Sequence, residues 1–267
     1  MVHWFSLQEP PVQALLATLF TWGVTAAGAG LVILFKQINK TVMDAMLGFA
    51  GGVMVAASFW SLLSPSMEMS ERLGLNVWLT ALIGFLGGGA LLFAGDKLFD
   101  IFERKKEVAQ PLGVQKRCLM LVTSITLHNI PEGLAVGVAF GSLAYGVDGA
   151  TLGAACLLAL GIGLQNFPEG TAVSVPLRRE GLSRGKAFFW GQLSGIVEPI
   201  SGVLGAVLVM GARYLLPYLL AFAAGAMLYV VVSELIPESQ SNSKKAVMAI
   251  FTLIGFSVMM VMDVALG

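Results

Sequence analysis

Eight stretches of this chain are long and apolar enough to cross a lipid bilayer, and this constrains its fold more than any other feature. They cover residues 11–35, 42–63, 76–98, 118–141, 150–177, 187–210, 214–237 and 246–265. A helix crossing the hydrocarbon core needs about 20 mostly apolar residues. Backbone N–H and C=O groups find no water there, so an isolated segment must satisfy them as a helix. The chain is 57% apolar and 12% charged, whereas soluble domains are roughly one quarter charged. The expectation is an all-α integral membrane protein, a single domain over 1–267 with eight transmembrane helices. The first apolar run exceeds a signal-peptide core and has no basic lead-in, so it reads as a retained span.

Orientation follows from charge. With the N-terminus outside, every Lys and Arg except Arg72 and Arg213 falls on the inner side. Short cytoplasmic loops carry such an excess, which puts both termini on the outer side of the cell (inner) membrane. The inner segment 96–117, DKLFDIFERKKEVAQPLGVQKR, mixes both signs and reads as a solvated loop between spans 3 and 4. The formal net charge is zero, so there is no basic excess for nucleic acid. Cys118 and Cys156 lie in or near spans and read as packing thiols.

The chain also resembles itself. LGFAGGVMVAASFWSLLSPS at 47–66 lines up with LAFAAGAMLYVVVSELIPES at 220–239. LIGF recurs at 82–85 and 253–256, and FTWG at 20–23 is echoed by FFWG at 188–191. Spans 1–3 thus resemble spans 6–8, and span 4 resembles span 5, each pair crossing in opposite directions. Inverted repeats with a site near the midplane mark secondary transporters.

The fourth pair carries the chemistry. LHNIPEGLAV at 127–136 and LQNFPEGTAV at 164–173 agree at seven of ten positions. His128 and Glu132 share one helical face, as do Gln165 and Glu169. Asn129 and Asn166 add side-chain carbonyls, and Gly133 and Gly170 allow close helix approach. Pro131 and Pro168 each free a backbone carbonyl and are expected to bend or loosen their helices. Glu132, Glu169 and Glu198 lie inside spans with no Lys or Arg at their depth. Such carboxylates must be protonated, hydrated or neutralised by a cation. Carboxylates, one imidazole and amide oxygens suit Zn²⁺ and neighbours such as Cd²⁺, Mn²⁺ or Fe²⁺. Met54 offers a thioether, although a methionine in an apolar stripe is more often core. Glu234 reads either as part of the site or as an interfacial acid before Pro237.

HNIPEG, QNFPEG and the GIVEP of span 6 resemble the Zrt/Irt-like (ZIP) divalent metal transporters, the GufA-like bacterial branch above all. That resemblance implies a 3+2+3 helix arrangement and a site between spans 4 and 5 able to hold two ions. One ion would use His128, Glu132, Gln165 and Glu169, with Met54 as a further candidate. The other would use Asn129, Glu132, Gln165, Asn166, Glu169 and Glu198. It implies cargo moving toward the cytoplasm by alternating access; a proton-coupled exporter or exchanger is the alternative. Metal is the substrate and no catalytic cofactor is expected. A zinc protease would need two histidines in HExxH form, and one intramembrane histidine does not supply it, so no enzyme is expected. GGG at 87–89 would serve a homodimer contact or internal packing.

Overall fold

The computed structural model describes residues 2–35, 39–107, 114–145, 151–179, 181–211 and 213–266. The side chains of Cys118, His128 and Arg213, and those of 99–107, lie outside the described residues. Everything regular among the described residues is helical. We label the long helices α1 (Pro10–Leu34), α2 (Lys40–Arg72), α3 (Val77–Glu107), α4 (Val114–Ser142) and α5 (Leu152–Arg179). They are followed by α6 (Arg184–Leu193 and Val197–Gly211), α7 (Leu216–Ser239) and α8 (Lys245–Ala265). Among the described residues, six helices (α1, α2, α3, α6, α7 and α8) are long and apolar enough to span a membrane. The protein is a multi-pass membrane protein. Helices α4 and α5, 29 and 28 residues long, carry the doubled motif.

Local chemistry sets the helix limits. Asn39 and Ser183 cap α2 and α6, accepting from the N–H groups of Thr41 at 2.8 Å and Lys186 at 3.3 Å. Gly74 and Gly181 end α2 and α5 at φ 68° and 94°, the left-handed turn that a glycine takes without a Cβ clash. The charged segment after span 3 is not loop throughout. α3 continues to Glu107 and α4 begins at Val114, because Lys, Arg and Glu are good helix formers once a helix is running. Pro131 and Pro168 both sit inside continuous helices.

The real interruption is in α6. At 194–196 the backbone tightens to three-residue bonds, Gly195 N–H to Gln192 O at 3.3 Å and Glu198 N–H to Gly195 O at 3.0 Å. Pro199 then falls in the first turn of the new helix, where its missing N–H removes no intrahelical bond. Neighbouring side chains bond to the carbonyls of this break. Trp22 Nε1 donates to Gln192 O at 2.9 Å, and Asn129 Nδ2 donates to Ser194 O at 3.0 Å.

Helix packing follows one scheme, applied twice. α1 lies along α5 as α6 lies along α4, and α3 lies on α7 as α8 lies on α2. Helices α2 and α7 exchange equivalent bonds: Ser66 Oγ donates to Pro217 O, and Ser239 Oγ to Asp44 O, both at 2.7 Å. Each of these two helices carries a π-helical turn, at Ser58–Leu63 and Val231–Leu235. In the alignment above, Ser58 pairs with Val231, so the two turns begin in register. Glycines let the backbones touch. A Cβ at Gly255 would run into the Phe49 carbonyl, and one at Gly88 into that of Phe222. Gly87 and Gly89 also face α7, so the triple glycine serves internal packing. Helices α3 and α8 are the least enclosed and present Leu82, Ile83, Leu86, Ile250, Leu253 and Ile254 outward, a surface suited to lipid.

Gly255→Ala forces a methyl group against a carbonyl and is expected to destabilise by about 1–3 kcal/mol. Gly185→Ala, where nothing lies within 4 Å, is expected to be neutral or to stabilise by up to about 1 kcal/mol. Thermal melts of the two purified variants in detergent check the pair.

Candidate metal site

The paired motifs meet. Glu132, Asn129, Gln165, Asn166 and Glu169 are 1%, 1%, 0%, 0% and 8% exposed. Close packing by glycine brings them there: a Cβ at Gly133 would strike the Glu198 backbone, and one at Gly170 the Thr25 carbonyl. Glu132 and Glu169 are both buried here, and the buried Glu198 is tied to the second motif through Asn166. No cation among the described residues offsets them.

The donors of Asn129 and Asn166 are turned away from Glu132 and Glu169, while that of Gln165 is spent on Glu132. Gln165 Nε2 donates to Glu132 Oε1 at 2.6 Å, Asn129 Nδ2 to Ser194 O, and Asn166 Nδ2 to Glu198 Oε2 at 2.8 Å. What remains is oxygen. Asn129 Oδ1, Glu132 Oε2, Gln165 Oε1, Asn166 Oδ1 and Glu169 Oε1 are all buried without a hydrogen-bond partner. A buried polar atom normally has a partner, and five in one doubled motif make a set of acceptors that a dication would satisfy.

Not every expected residue joins this set. Glu198, 0% exposed, has both oxygens bonded, to Thr21, Thr25 and Asn166. Met54 is buried in the main apolar core. His128 lies on α4 one turn before Glu132, with its side chain outside the described residues. Among the described residues, no three carboxylate, thiol or imidazole side chains gather at one point. Glu234 lies on the π turn of α7, half-buried, where its charge acts on Glu169. Both acids line a cavity of about 550 Å³ with Glu238, Met43, Leu47 and Pro176.

Sequence reading missed Thr21 and Thr25, whose hydroxyls reach Glu198 from α1. Their signal is TLFTWGVT at 18–25, three threonines spaced along one face of an apolar helix, all buried. Glu238 was also missed, since an acid after Pro237 resembles any interfacial residue.

Comparison with known proteins gives the chain's relatives. The profile of the family described as ZIP Zinc transporter matches residues 103–263. The Zinc transporter ZIP11 of Xenopus tropicalis is 40% identical, over 97% of this chain and 98% of that protein. The Zinc transporter GufA of Myxococcus xanthus is 35% identical, over 95% and 98%. The Zinc transporter ZIPB of Bordetella bronchiseptica is 35% identical, over 92% and 79%.

Two facing buried carboxylates destabilise the metal-free fold. Glu132→Gln or Glu169→Gln alone is expected to raise the metal-free melting point by a few degrees, about 1 kcal/mol or more. The same variants are expected to lose the melting-point rise that zinc produces. Thermal melts with and without zinc check both effects.

Proposed function

Because the chain belongs to the ZIP zinc transporter family, we propose that it carries divalent metal ions across the membrane toward the cytoplasm. Zinc is the foremost cargo, with Cd²⁺, Mn²⁺ or Fe²⁺ as further substrates. The observation that carries this reading is the group of five unpartnered oxygens on Asn129, Glu132, Gln165, Asn166 and Glu169. Transfer into this site exchanges a hydrated ion's water for carboxylate and amide oxygens. Two facing carboxylates gain a counter-charge in the same step. His128, one turn from Glu132, would add an imidazole. Oxygen-rich coordination keeps binding reversible, which transport requires.

In this reading α4 and α5 are the fourth and fifth of eight spans, flanked by inverted triplets in a 3+2+3 arrangement with both termini outside. The equivalent serine bonds of α2 and α7 and the doubled packing scheme support it. Two helix groups follow, each tied internally. One is α1, α4, α5 and α6, joined by Asn129, Asn166 and the glycines at 28, 133 and 170. The other is α2, α3, α7 and α8, joined by the serines and by the glycines at 52, 88, 225 and 255. Their relative sliding provides alternating access.

The cavity beside Glu169 supports the inward direction. Its walls include Met43, near Lys40, and Pro176, near Arg178, and the basic side is cytoplasmic by the charge rule. An ion leaving Glu169 would meet Glu234 and Glu238 on its way inward. In this reading the described structure is inward-open.

Uptake of radiolabelled zinc into cells expressing the full chain tests the proposal. Glu132→Ala with Glu169→Ala is expected to lower uptake at least about tenfold with surface levels unchanged. Net zinc efflux, or uptake indifferent to both substitutions, would refute it.

A further inference from the structure

We propose that Glu198 is not a ligand of the transported ion but a latch between α1, α5 and α6. Thr21 and Thr25 are its positioning residues, and the chain carries one ion per cycle. The inference rests on the transport reading above and departs from the two-ion site that the family resemblance implies.

The hydrogen bonds of Glu198 separate it from the other acids. Its Oε2 accepts from the Thr21 hydroxyl and from Asn166 Nδ2 at 2.8 Å, and its Oε1 accepts from Thr25 Oγ1 at 3.4 Å. Glu132 and Glu169 each keep an oxygen without a partner, and Glu198 keeps none. Each threonine hydroxyl also has a main-chain carbonyl within reach, Thr18 O for Thr21 and Thr21 O for Thr25. A carboxylate is the stronger acceptor of the two.

The amide of Asn166 settles which side faces Glu198. Its Nδ2 lies 2.8 Å from Glu198 Oε2 and 3.3 Å from Thr21 O. The Thr21 carbonyl accepts only, so the NH₂ group must point there. A cation lodged between Asn166 and Glu198 would confront N–H protons. An aspartate at 166 would instead set two like charges face to face and call for a bridging ion. Asparagine supplies that bridge itself, and its Oδ1 is left without a partner.

Local backbone makes room for the latch. A Cβ at Gly195 would lie 3.0 Å from Glu198 Oε1 and 3.2 Å from Thr25 Oγ1. The break in α6 thus lets the Glu198 side chain fold toward α1. The ion's own ligands are then the oxygens of Asn129, Glu132, Gln165, Asn166 and Glu169, with the imidazole of His128. The latch holds Asn166 and α1 in the geometry that this set needs.

Equilibrium dialysis of the purified full-length chain with cadmium alone is expected to give one ion per chain. Glu198→Gln is expected to keep that one ion with Kd changed by no more than about threefold. In uptake assays, Thr21→Val with Thr25→Val is expected to cut the maximal rate about tenfold, as loss of supporting partners around a metal does. Its KM should stay within about threefold of the parent, and Thr21→Ser with Thr25→Ser should restore the rate. Two ions per wild-type chain, a greater loss of affinity in Glu198→Gln, or a valine variant as fast as the parent would overturn the inference. Should the valine variant not fold, the ion count and Glu198→Gln still decide. A wild-type chain binding no ion would refute the transport reading and this inference with it, whereas two ions refute only the latch.

Discussion

The interior of a membrane offers no water, so each polar atom placed there must be satisfied by the protein or by what the protein carries. Most of this structure obeys the first alternative. The unwound carbonyls of α6 receive Trp22 and Asn129, the Gly28 carbonyl on α1 receives Thr171, and Glu198 receives two threonines and an amide. Against that background the oxygens of the doubled motif stand out, because their own amide donors have been spent elsewhere. Donor use thus defines the site as much as the two carboxylates do.

Duplication explains how so many constraints are met at once. Each copy of the motif spends its asparagine donor on a neighbouring helix, Asn129 on α6 and Asn166 on both α6 and α1. Each copy also places a glycine against the same neighbour, Gly133 on α6 and Gly170 on α1. Two half-sites built in this way approach from opposite sides. The copies differ where the chemistry needs them to. Histidine at 128 faces glutamine at 165, and the acid at 198 has Gly30 as its counterpart in the repeat alignment. Those differences turn a symmetric scaffold into a site with distinct faces.

Much of this was legible in the sequence. Apolar length gave the helical class, and the alignment of 47–66 with 220–239 anticipated the register in which the two π turns begin. The second PEG copy pointed to Glu132, Gln165 and Glu169, which do converge. What the sequence left open has physical reasons. Pro131 and Pro168 each remove one hydrogen bond, a loss that packed neighbours absorb, whereas the break in α6 depends on a main chain stitched by α1 and α4. Glu198 is a buried acid that calls for a partner, and the sequence does not show which. Its partners, Thr21 and Thr25, lie 177 and 173 residues away, where no local pattern reveals them. Met54 is buried within the apolar core, a placement that periodicity alone does not give.

The central claim is that a dication completes the unpartnered oxygens between α4 and α5. Anomalous diffraction from crystals of the full chain soaked in cadmium tests it most directly. The account predicts a peak within coordination distance of Glu132 and Glu169, bounded by the amide oxygens of Asn129, Gln165 and Asn166. Peaks confined to the surface, with Glu132 and Glu169 bonded only to protein groups, would contradict it.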